Sequence, residues 1–155
     1  MRDWEAGATS EALTAHARSA ALIQDIISAY PKWTGANSLR IANAHRWAWA
    51  ALAAGEASTA KRIIEQALAA LDTKKMLRTL ADEAEDYEGC GTLHMDAARL
   101  NVGVALAHMD TAARLLRNAI TVNRASSTGW AAHSAVLFER GDDRGTLVLS
   151  DALES

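Results

Sequence analysis

The sequence predicts an all-α protein, and three observations carry that reading. About a fifth of the 155 residues are alanine, there is a single proline, and β-branched residues are sparse. Alanine is the best helix former and proline the worst. Apolar residues recur at steps of three and four along most of the chain, the period of a half-buried helix, and no stretch reads as a convincing strand. About eight helices are expected, paired as antiparallel hairpins within one domain spanning residues 1–155.

The clearest hairpin covers residues 43–71. In its second helix Ala60, Ile63, Ile64, Ala67, Leu68 and Leu71 form one stripe, while Lys61, Arg62, Glu65 and Gln66 fill the other face. Ala44, Trp47, Ala48 and Ala51 make the matching stripe of the first helix. Gly55-Glu56 reverses the chain, and Ser58 is a candidate N-cap.

The remaining elements follow in order. Residues 1–8 read as a frayed lead-in. A helix starts at Thr9 or Ser10 with the stripe Leu13, Ala17, Ala20, Ile23, Ile27 and Tyr30, and stops before Pro31. A loop over 31–37 carries Trp33 and Gly35, and Ser38 caps the helix that enters the hairpin. Thr73 starts a short helix with Met76, Leu77, Leu80 and Ala84. It ends in the acidic run from Asp82 to Glu88, read as a solvated helix end, and the loop Gly89-Cys90-Gly91. Thr92 opens a helix with Leu93, Ala97, Leu100, Val104 and Ala107. A turn near His108-Met109-Asp110 leads to one with Ala112, Leu115, Leu116, Ala119 and Ile120. Asn123 to Ser127 is a polar turn, residues 128–140 are helical, and Gly141-Asp142-Asp143 leads into a last helix that ends at Ala152-Leu153.

Composition narrows the functional classes. A net charge of −3 gives no general attraction to nucleic acid or an anionic membrane, although Arg114, Arg117 and Arg124 are spaced to form a local basic patch. The single Cys90 has no disulfide partner within the chain and fits a reducing compartment. Neither a signal peptide nor an apolar run of spanning length is present, so a cytoplasmic protein is expected. Plentiful alanine and an excess of arginine over lysine suggest a bacterial or phage source.

The spacing Gly55, Ala60, Ile64, Ala67, Leu68 resembles the second helix of the tetratricopeptide repeat, a 34-residue helix–turn–helix unit. Ala112, Leu116, Ala119 and Ile120 repeat it, with Asn101-Val102-Gly103-Val104-Ala105 as the small-residue centre of a first helix. A third copy starts at Trp130. The steps Trp47 to Val102 to His133 are 55 and 31 residues, and the unit-ending proline is absent. The resemblance covers roughly residues 38–155. It implies hairpins stacked as a short right-handed solenoid, with a compact helical bundle as the alternative, and first helices that line a partner-binding groove. His45, Arg46, Trp49, Asn101 and His108 are the contacts it implies. Of the side chains that a carboxylate clamp in this family needs, only Asn101 is present.

Chemistry-bearing motifs are few. Trp47 and Trp49 lie about 200° apart around a helix, so Trp47 is assigned to the core and Trp49 to the outer face. His94 and His108, on one expected helix, are about 21 Å apart, too far for one ion. Cys90 and His94 are two ligands without a third, read as a loop thiol and a surface histidine. As a nucleophile and base they lack an orienting group. The acidic run lacks the order of a calcium loop, and no phosphate loop, dinucleotide fingerprint or nucleophile elbow occurs. No metal or cofactor is expected, and no motif supports an enzyme. Leu147, Val148 and Leu149 put apolar groups on both sides of the last helix, so a homodimer through that helix or the N-terminal one is expected. The functional expectation is a non-catalytic module that holds a partner peptide or helix in a groove. The rival is an enzyme or small-molecule-binding bundle with a Trp- and His-lined pocket.

Overall fold

A computed structural model describes residues 2–33, 35–73, 77 and 84–141. Among them the regular elements are six helices and no strand: α1 (Arg2–Ala29), α2 (Gly35–Ala53), α3 (Ala57–Ala69), α4 (Ala84–Arg99), α5 (Ala105–Val122) and α6 (Ser127–Glu139). The protein is therefore all-α, and no helix among the described residues is long and apolar enough to cross a membrane. The expected last helix and most of the short helix expected from Thr73, with Met76 and Leu80, lie outside the described residues. By contact the chain divides into two compact units, Met1–Ala70 and Leu71–Ser155. In the first, α2 packs on α1 and on α3. In the second, α5 packs on α4 and on α6, and α4 also meets α6.

One local device ends three helices. Gly55 sits at φ +80°, its N–H bonded to the Leu52 carbonyl at 2.9 Å, while the Glu56 N–H reaches Ala51 at 2.8 Å. This pair of bonds around a left-handed residue closes a helix and satisfies its last carbonyls. At the end of α4 the left-handed residue is Asn101, at φ 54°, with Asn101 N–H on Ala98 at 3.2 Å and Val102 N–H on Ala97 at 2.8 Å. Gly141, at φ 73° and bonded to Phe138 at 2.9 Å, ends α6. Asparagine is the side chain that most readily replaces glycine there.

That geometry corrects the expected course of residues 82–122. Gly89-Cys90-Gly91 is not a loop but the interior of α4, and Thr92 does not open a helix. Its Oγ1 donates to the Glu88 carbonyl one turn back, at 2.9 Å. The turn falls at 100–104 rather than 108–110, so Asn101 to Val104 connect two helices instead of forming the centre of one. Asp86 and Glu88 therefore lie not at the end of a helix but in the first turns of α4, where its dipole favours negative charge. Glu88 is half-buried and accepts a hydrogen bond from Ser126 Oγ. Ser126 is in turn the N-cap of α6, accepting from the Gly129 N–H at 3.1 Å.

Smaller corrections concern the first unit. Helix α1 begins at Arg2 rather than Thr9, and α2 at Gly35 rather than after Ser38. Glu56, not Ser58, is the N-cap residue of α3, and it makes no side-chain cap bond. Tyr30 lies past the end of α1 and is exposed, as is Ala17. The hairpin itself is as expected. Ala44, Ala48 and Ala51 of α2 and Ala60, Ile63, Ile64 and Ala67 of α3 are buried. In the second unit Tyr87, Cys90, Leu115 and Ala119 form one core cluster. Met95, Ala112, Ala113, Leu116 and Val136 form another.

Candidate functional site

Helix α2 presents two contrasting faces because its alanine stripe turns inward. Leu39, Ala42, Arg46, Trp49 and Ala53, at steps of three and four, make up the exposed face. Trp49 is 42% exposed, and His45 meets it edge-on, ring centroids 6.4 Å apart and planes at 69°. Three of the five expected contact residues, His45, Arg46 and Trp49, thus lie together. Trp47 points the other way but is half-buried rather than core.

Trp47 borders a cavity of about 210 Å³ among α1, α2 and α3, which the sequence did not reveal. Ala44, Ile63 and Ala67 supply apolar walls, and Gln24, Arg40 and Gln66 supply polar groups. Two bonds between helices brace it. Arg40 Nη2 donates to Gln24 Oε1 at 3.1 Å, and Asn43 Nδ2 donates to the His16 carbonyl at 3.1 Å. His16 Nδ1 lies 2.8 Å from Asn43 Oδ1. An amide oxygen only accepts, so His16 carries its proton on Nδ1.

The second unit contains a chain of polar groups that the sequence pattern places apart. Because the turn falls at 100–104, His94 and His108 stand on antiparallel helices, and their Nδ1 atoms are 2.9 Å apart rather than four helical turns. On its other side His94 Nε2 lies 3.3 Å from Thr73 Oγ1, which lies 3.7 Å from Cys90 Sγ. Cys90 is not in a loop and His94 is not on the surface; both are buried. Burial, and to a lesser degree the neighbouring His108, pushes His94 down to about 4. Burial pushes the Cys90 thiol up to about 11. The Thr73 hydrogen bond opposes this, and the charge of Asp86 adds to it.

These environments define what the chain of groups can do. The thiolate is the nucleophile in cysteine chemistry, and a buried thiol at about 11 holds its proton at neutral pH. A histidine at about 4 is neutral there, so His94 bonds as donor through one nitrogen and acceptor through the other. The series ties Thr73, α4 and α5 together. Two imidazoles fall short of a metal's usual ligand set, and no group of three His, Cys, Asp or Glu suited to an ion occurs among the described residues. Asn101, expected on a helix face, is exposed at the turn, and His108 is half-buried against His94.

No family model matches the chain, and no curated protein or solved structure matches it either.

Proposed function

We propose that the protein is a non-catalytic interaction module that receives a helix or extended peptide of a partner protein along the exposed face of α2. The observation that carries this reading is Trp49, a large aromatic side chain held at the surface with His45 and Arg46 beside it. Tryptophan and arginine dominate binding energy where they occur in interfaces. Leu39 shares the face ten residues earlier, about 15 Å along the axis, a span that suits several residues of a bound segment. The resemblance of the α2–α3 hairpin to a tetratricopeptide unit supports the same reading.

Affinity capture from the source organism should yield one partner at stoichiometric amounts. Trp49→Ala should weaken that partner by about 2 kcal/mol or more, roughly thirtyfold, with the melting temperature unchanged. An unchanged affinity would remove Trp49 as the anchor. The cavity beside Trp47 favours a second reading, a small-molecule-binding bundle. A metabolite that raises the melting temperature by several degrees, and loses that effect in Trp47→Ala but not in Trp49→Ala, would replace the first reading with the second. We also propose a homodimer through α1, on which Leu22 is 62% exposed. Light scattering should give twice the monomer mass at micromolar concentration, and a monomer there would refute it.

A further inference from the structure

The second unit holds a cleft that the interaction reading does not use. Asp110, Ala113, Arg114 and Arg117 line it from α5, and His133, Leu137 and Arg140 line it from α6 and its C-cap. Its volume is about 610 Å³, within the usual size of a small-molecule site, roughly 300–1,000 Å³. The spacing explains its composition. Residues 110, 113, 114 and 117 form one stripe of a helix, and 133, 137 and 140 form another. Arg140 Nη2 is 2.9 Å from Asp110 Oδ1. That ion pair sets the end of α6 against the early turns of α5.

Three guanidiniums thus face one carboxylate in a chain whose net charge is −3. Asp110 is engaged with Arg140, while Arg114 and Arg117 have no side-chain partner among the described residues. The floor between the charges is apolar, because Ala113 and Leu137 are buried. A low-dielectric wall strengthens the field of charges above it. We infer that this cleft binds a phosphate monoester with an apolar body, the phosphate on Arg114 and Arg117 with Arg140 beside them, and the body on Ala113 and Leu137. A guanidinium pairs with phosphate through two parallel hydrogen bonds. A dianion uses the two uncompensated positive charges better than a carboxylate does.

Phenyl phosphate is a suitable probe, titrated calorimetrically into the whole chain. Saturable 1:1 binding is expected on the order of 1 mM or tighter, with inorganic phosphate and benzoate each about tenfold weaker. Arg114→Gln with Arg117→Gln should weaken phenyl phosphate at least about tenfold without moving the melting temperature, because both side chains are exposed. Asp110→Asn should tighten it several-fold by removing the competing carboxylate. No saturation by phenyl phosphate, equal binding of benzoate, an unaffected double variant or a weaker Asp110→Asn would each overturn the inference. So would a single-stranded oligonucleotide that binds more tightly than phenyl phosphate and depends on the same two arginines, since the surface would then serve nucleic acid.

Discussion

Gly91→Ala is expected to destabilise the protein by up to about 2 kcal/mol, and to cost nothing once Leu116 is also alanine. Two effects compete at this position. In the interior of a helix, alanine is favoured over glycine by about 1 kcal/mol. Against that, a Cβ built on Gly91 meets Leu116 Cγ at 2.9 Å and Cδ2 at 3.2 Å. Cγ is the branch point of the leucine, and Leu116 is packed among Met95, Ala112, Ala113 and Val136, so it has little room to withdraw. Overpacking of this kind costs about 1–3 kcal/mol and outweighs the propensity gain. Leu116→Ala alone should cost about 2–5 kcal/mol, for lost burial plus the cavity it leaves. In that background the added methyl occupies vacated space, and the propensity gain shows as net stabilisation. Denaturant unfolding of the four proteins gives the coupling, expected at about 1–3 kcal/mol in favour of the double variant. Additivity within about 0.5 kcal/mol would mean that α4 and α5 do not touch at this point.

Acidification should weaken the fold through His94. Its ordinary value is 6.5, and in the folded protein burial and His108 hold it near 4. Between these values the unfolded chain binds a proton that the folded chain declines, so unfolding takes up protons and stability falls as the pH is lowered. The contribution is constant above about 6.5, lost progressively towards 4, and about 3 kcal/mol in all at one unit per 1.4 kcal/mol. His94→Gln removes the titrating group. That variant should be less stable at pH 7, since Thr73 and His108 lose their partner, yet its stability should fall less steeply between pH 6.5 and 4. Carboxylates that titrate near the lower end affect both proteins alike, so the difference in slope isolates His94. Parallel curves for the two proteins would mean that His94 titrates normally in the fold.

Helices whose signals are local were legible. The α2–α3 hairpin was readable because Gly55 marks its turn and small or aliphatic residues mark both inner faces, and α6 because Gly141 closes it. The buried stripe of α5, Ala112 to Ile120, was also readable. What misled was the same punctuation in other contexts. The turn after α4 is made by Asn101, and Gly103 beside it has the pattern of a small packing residue, which merges two helices into one in the sequence and separates the histidines along it. Gly89 and Gly91 have the local signature of a loop, whereas Gly91 lies in a helix where Leu116 approaches closely. That approach is a tertiary contact 25 residues away in sequence and leaves no local signal. On α2 the period alone separated Trp47 from Trp49. The cavity beside Trp47 depends on α1, whose register against α2 no single helix encodes.

The left-handed helix endings have a consequence for how the chain is made. Those at Gly55 and Asn101 return the chain within a few residues, so the described helices pack chiefly against their immediate neighbours in sequence. Little chain entropy is lost before those contacts form, and helical proteins of this kind fold in about microseconds to milliseconds. Synthesis adds residues far more slowly, at about 5–20 per second. Before the second unit is translated, the first unit, residues 1–70, provides α2 with both α1 and α3 to pack on. Its hairpin, with the surface that carries Trp49, can form on the ribosome while the histidines and arginines of the second unit have yet to be added.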